Sequence, residues 1–156
     1  MAMRTIRQWF EEYGESHRDT TNITVHWIAV PLIYFSVVGL LMSIPSPELP
    51  YLDRHLWVTL AVVAVWFFYF QRSFALSIGM MAFSLFCAWL ASWFAAHAPC
   101  PLWGICLGIF ALAWIAQFLG HKVEGRKPSF LKDLQFLLIG PAWLMAKLYI
   151  RIGIPY

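Results

Sequence analysis

From Ser73 to His121 the chain carries no Asp, Glu, Lys or Arg, and further charge-free stretches run from Thr20 to Pro47 and from His55 to Gln71. An apolar helix crosses a bilayer in roughly 17 to 25 residues. Inside hydrocarbon only a helix or a closed barrel satisfies every backbone N–H and C=O. The longest stretch has room for two helices, and Pro99 and Pro101 in "AAHAPCPLWG" mark the cut, because proline interrupts helical pairing. This predicts four transmembrane helices near 26–44, 56–71, 74–96 and 102–120. Composition agrees: 61% of residues are hydrophobic and 12% charged, against about 25% charged in a soluble domain. The fold class is all-α, a multi-pass membrane protein, with residues 1–156 expected to form a single helical domain.

Met1 to Asn22 holds charges throughout and no apolar core of the length a leader peptide needs, so the segment is expected to stay with the protein. Within it Ile6, Trp9, Phe10 and Tyr13 recur at helical spacing with Arg7, Glu11 and Glu12 between them. That is the pattern of an amphipathic helix, lying on the membrane surface or packed on the rest of the protein. After the fourth span, the apolar run from Leu134 to Ala146 is short for a crossing and Gly140-Pro141 interrupts it. It is expected to form an interfacial or re-entrant pair of helical pieces, a fifth span being the alternative. Cys87, Cys100 and Cys106 show neither a paired framework nor metal-type spacing and read as small apolar filler.

Basic residues orient the bundle. With four spans both termini share one side, and ten of the eleven Lys and Arg residues fall there, leaving Arg54 alone opposite. By the positive-inside rule that side is cytoplasmic. The net charge of +3 then belongs to a basic membrane face rather than a nucleic-acid site, and membrane lipid headgroups or an acidic substrate are its expected partners. Trp27, Trp57, Trp93 and Trp103 lie near predicted helix ends, as interfacial aromatics do.

The same topology sorts the histidines. His17, His26 and His121 fall on the cytoplasmic side, His55 and His97 on the other. Asn22 and His26 are four apart and share a face if the first helix starts early; Gln117, His121 and Glu124 form one stripe on an extended fourth helix. Imidazoles with a carboxylate suit iron or zinc, and two histidines plus one carboxylate is the ligand set of non-haem iron oxygenases. Asn22 and Gln117 are placed to orient the ligands. The competing reading of each histidine is an interface anchor or a satisfied hydrogen bonder. In "HKVEGRKPSFLKD", Arg126 and Lys127 are candidates for binding a substrate carboxylate, or simply part of the positive-inside signal.

"YGESHRDTTNITVHWIAVPL", "AQFLGHKVEGRKPSF" and "LLIGPAW" together resemble the yeast-type 2-hydroxy fatty acid dioxygenase family, over about Trp9 to Leu148. The specific part is His-x4-Asn-x3-His paired with Gln-x2-Gly-His. The family's motif histidines fall on His17, His26 and His121, its asparagine on Asn22 and its following glutamate on Glu124. The resemblance implies an Fe(II)-dependent dioxygenase that shortens a long-chain 2-hydroxy fatty acid by one carbon, with metal ligands His17, His26, His121 and Glu124. One departure is Lys147 at the end of "GPAWLMAK", where some members carry a glutamate. A 2-hydroxy acid and O2 balance to the shorter acid, CO2 and water, so no reducing cosubstrate is required.

Two other functions fit the same residues. A bis-histidine haem protein would use His26 and His121 as axial ligands. A transporter or scaffold would need no site, but the span centres hold only Ser36, Thr59, Ser77 and Ser84 as polar residues, with no charge for an ion path. The compact length and the lack of a C-terminal retention signal favour a bacterial inner membrane, or the endoplasmic reticulum if the source is eukaryotic.

Overall fold

The computed structural model describes residues 4–47, 55–125 and 136–156. Six helices make up the described fold: α1 (Ile6–Gly14), α2 (Thr20–Met42), α3 (Leu56–Phe70), α4 (Phe74–His97), α5 (Leu102–Val123) and α6 (Ile139–Ile152). Their starts carry local signals. Thr5 and Gln8 form a reciprocal capping box on α1, the Asp19 carboxylate accepts from Thr21 N and Asn22 N at the start of α2, and Ser73 caps α4.

Three helices, α2, α4 and α5, are long and apolar enough to cross a membrane. α3 is apolar throughout but has 15 residues, about 22 Å at the helical rise, against a hydrocarbon core of about 30 Å. The predicted spans match the observed helices to within a few residues, except that α2 begins at Thr20 rather than near His26. The early start follows from the Asp19 cap, and it makes Asn22 and His26 helical neighbours buried inside the protein.

α2 is the central helix and packs on α3, α4, α5 and α6. Its longest contact is with α5, which runs antiparallel to it. Glycine permits close approach at both ends of this pair. A Cβ on Gly39 would lie 2.3 Å from Cys106 Sγ, and one on Gly120 would lie 2.6 Å from Asn22 Oδ1. Small residues let membrane helices meet backbone to backbone, and here they fix the register that sets His26 beside His121. Ser36, Ser77 and Ser84 are buried and satisfied by carbonyls of their own helices.

One expectation is corrected. Gly140-Pro141 does not break the last helix: both residues lie in the first turn of a continuous α6, where a proline lacks no intrahelical partner because the first N–H groups have none. Of the two placements open to α1, packing on the rest of the protein is the one observed. Ile6, Phe10 and Tyr13 are buried against the protein, with Tyr13 edge-on to Phe136 and Trp143. α6 is held over the ends of α3 and α4: the Tyr149 hydroxyl donates to Ala75 O (2.9 Å), and the Tyr69 hydroxyl to Leu138 O in the turn before α6.

Candidate metal centre

His17 comes from the loop between α1 and α2, His26 from the second turn of α2, and His121 from the last turn of α5. All three are buried, and one ligand atom from each lies within 4.8 Å of the others. Ring centroids are 4.3 Å apart for His17 and His26, 5.0 Å for His26 and His121, and 5.1 Å for His17 and His121, with the planes 70–82° apart. The rings converge edge to face and do not stack on one another.

The hydrogen bonds settle which nitrogen faces inward. His17 Nδ1 is 2.6 Å from Tyr13 O and His26 Nδ1 is 2.8 Å from Asn22 O. A carbonyl only accepts, so each Nδ1 carries the proton and each Nε2 keeps a lone pair, the tautomer a metal ligand needs. His17 Nε2 is buried with no hydrogen-bond partner. Leaving a buried acceptor unmatched is costly, and a cation among three imidazoles would satisfy it. Burial also pushes the His17 imidazole down to about 4, against the opposing hydrogen bond to Tyr13 and with His121 adding to the lowering. The ring is therefore neutral near pH 7. The donor set fits a first-row divalent ion.

Glu124, expected as a ligand, stands apart from this group. It is the C-cap of α5, and its carboxylate turns to the start of α2. Oε1 accepts from Arg18 N (2.7 Å), and Oε2 accepts from Asn22 Nδ2 (2.7 Å) and Asp19 N (3.3 Å). Burial raises its pKa, but the hydrogen bonds from Arg18, Asn22 and Asp19 outweigh that and hold the carboxyl below its usual value. The effect is to tie the His17 loop to the end of the helix carrying His121. Asn22 completes the tie: its amide also donates to Ser16 O (3.2 Å) while its backbone carbonyl holds His26. Gln117, one turn before His121, is buried and lines a cavity of about 20 Å³ with His26, Val30, Ile33 and Trp114. That is room for one or two molecules the size of water.

Residues outside the expected set complete the surroundings. Tyr13 stacks on His17 at 4.0 Å and 15°, and Trp143 of α6 lies 5.7 Å from the same ring. Lys147 Nζ sits 3.6 Å over the Trp143 ring, which brings a cation to the same end of the bundle. Tyr13 is four residues before His17, and Trp143 lies within "LLIGPAW"; those were the available signals. Arg126 and Lys127 lie outside the described residues. His55 precedes α3 and His97 ends α4, at the opposite end of the bundle from the three clustered histidines.

The 2-hydroxy-palmitic acid dioxygenase Mpo1-like family matches residues 3–152 of the chain. A relative, the 2-hydroxy-palmitic acid dioxygenase MPO1 of Saccharomyces cerevisiae, is 30% identical over 150 residues, covering 95% of this chain and 82% of the yeast protein. No solved structure matches the chain. A match over nearly the whole length bears out the resemblance drawn from the motifs, and the chain belongs to the 2-hydroxy-palmitic acid dioxygenase Mpo1-like family.

Proposed function

We propose that the protein is an Fe(II)-dependent dioxygenase of the membrane that converts a long-chain 2-hydroxy fatty acid to the acid one carbon shorter, with CO2 and water as the other products. The observation that carries this reading is the convergence of His17, His26 and His121 in a buried group, in a chain whose relative is named for a dioxygenase of this substrate class. The three histidines are the ligands, and Glu124 and Asn22 position them. A bound ferrous ion supplies the one-electron chemistry that allows O2 to react with a closed-shell acid.

The chain's own residues do the rest. Burial keeps the His17 imidazole neutral and excludes bulk water. The Gln117 amide offers hydrogen bonds in the small cavity beside His26, suited to the substrate hydroxyl or to O2. Lys147, held over Trp143, joins Arg126 and Lys127 as a candidate partner for the carboxylate. In this reading α2 to α5 cross the membrane, with both termini and the metal centre on the cytoplasmic face of a bacterial inner membrane. α3 reaches across through local thinning or flanking interfacial residues. The haem alternative requires a slot for a macrocycle between His26 and His121. His17 packs against both rings instead.

The test is iron-loaded full-length protein supplied with 2-hydroxyhexadecanoic acid and O2. Pentadecanoic acid and CO2 should appear with one O2 consumed per product and without 2-oxoglutarate. Absence of product across a range of chain lengths would remove the assignment.

A further inference from the structure

Beyond the cavity at the metal centre lies a second, of about 70 Å³, between α2 and α3. Its wall is almost wholly apolar: Val38 and Leu41 from α2, Val58, Ala61 and Val62 from α3, and Leu137 from the turn before α6. Leu137 also lines the cavity beside His26, so one side chain borders both spaces. The turn carrying it is anchored by Tyr69, fully buried at the end of α3, whose hydroxyl donates to Leu138 O. The partition between the cavities is therefore a leucine side chain on a turn that Tyr69 ties to α3.

The two spaces follow one helix. On α2 the first is lined by His26, Val30 and Ile33, and the second by Tyr34, Val38 and Leu41. From His26 to Leu41 the helix advances about 22 Å at 1.5 Å per residue. The chains of one lipid leaflet fill about half of a ~30 Å hydrocarbon core, roughly 15 Å, so a path of about 22 Å has room for a long acyl chain. The polar groups are at the metal end: Tyr13, Gln117 and the histidines. The far end offers only aliphatic side chains, apart from Tyr34, whose hydroxyl is engaged with Ser84 Oγ (2.6 Å).

We propose that the α2–α3 cavity receives the methyl end of the acyl chain, that the chain displaces the Leu137 side chain to reach it, and that Val38, Leu41, Val58 and Ala61 set the chain-length preference. This rests on the fatty acid substrate class proposed above. It is distinct from a lipid lying in the outer groove of α2 and α5, where Ile28 and Leu112 are exposed.

The experiment uses the full chain in lipid nanodiscs and 2-hydroxyhexadecanoic acid carrying a diazirine near its methyl end. After irradiation, label should map to Val37–Leu41 of α2 and Val58–Val65 of α3, and should fall about tenfold in Ala61→Phe. In turnover, the ratio of 2-hydroxyhexadecanoic to 2-hydroxydecanoic acid should fall by a similar factor in Ala61→Phe and rise in Val38→Ala. Label on Ile28 or Leu112, or no label on α2 and α3, overturns the proposal. Label in the cavity without turnover by wild type would support the binding path while removing the dioxygenase reading, so the two failures are distinguishable.

Discussion

Glu124, a ligand by the family resemblance, has its carboxylate engaged by hydrogen bonds away from the three histidines. Counting from Gln117 through His121 to Glu124 assumes that the helix continues, and a continued helix would aim the carboxylate along the histidine stripe. The backbone does keep helical dihedrals through Glu124, the C-cap of α5, whose N–H donates to Gly120 O, yet the carboxylate turns to three N–H donors at the start of α2. As a positioning residue it should matter indirectly: Glu124→Ala is expected to weaken metal binding about 10- to 100-fold, as loss of groups that orient ligands typically does, while leaving one metal per chain at saturation. Loss of the site at any metal concentration would make Glu124 a ligand. Its folded pKa is lowered, so its stabilising contribution is complete above the unfolded value of about 4.3 and is lost as the pH falls through the folded value. The stability difference between wild type and Glu124→Ala, read by denaturant melts in detergent, should accordingly shrink in acid. His17, His26 and His121 were all sorted to one side by counting helices, and the motif singled out the same three. Tyr13 and Trp143 come from helices outside the span pattern, and no periodicity says which ring they meet.

At the level of elements, the long apolar helices were legible because hydrocarbon leaves the backbone few options. The docking of α1 and α6 was not. An amphipathic face such as Ile6, Phe10 and Tyr13 looks the same whether it meets lipid or protein, and Pro141 breaks a helix only if it lies beyond the first turn. The α2–α5 pair is the element on which the site depends, and its two glycines can be told apart. Gly120→Ala sets a Cβ against Asn22 Oδ1 and Gly39→Ala sets one against Cys106 Sγ. Both should cost about 1–3 kcal/mol in stability through overpacking. Only Gly120→Ala, next to His121 and the residue holding His26, should also lower metal affinity. Thermal melts paired with metal titration check this, and equal metal affinity in the two variants would mean that the helix register does not govern the site.

For the whole molecule, the proposed topology separates the histidines by about the thickness of the hydrocarbon core, roughly 30 Å. No single ion reaches both ends of the bundle. His55→Ala and His97→Ala are thus expected to keep metal and turnover, and His26→Ala and His121→Ala to lose both. Turnover that depends on His97 as strongly as on His121 would contradict the helix arrangement. The central claim, that the three buried histidines form one metal centre, is tested most directly by elemental analysis of anaerobically purified protein, wild type beside His26→Ala, with helicity confirmed by circular dichroism. The account predicts about one divalent ion per wild-type chain and almost none in the equally folded variant. Equal metal content in both would contradict it.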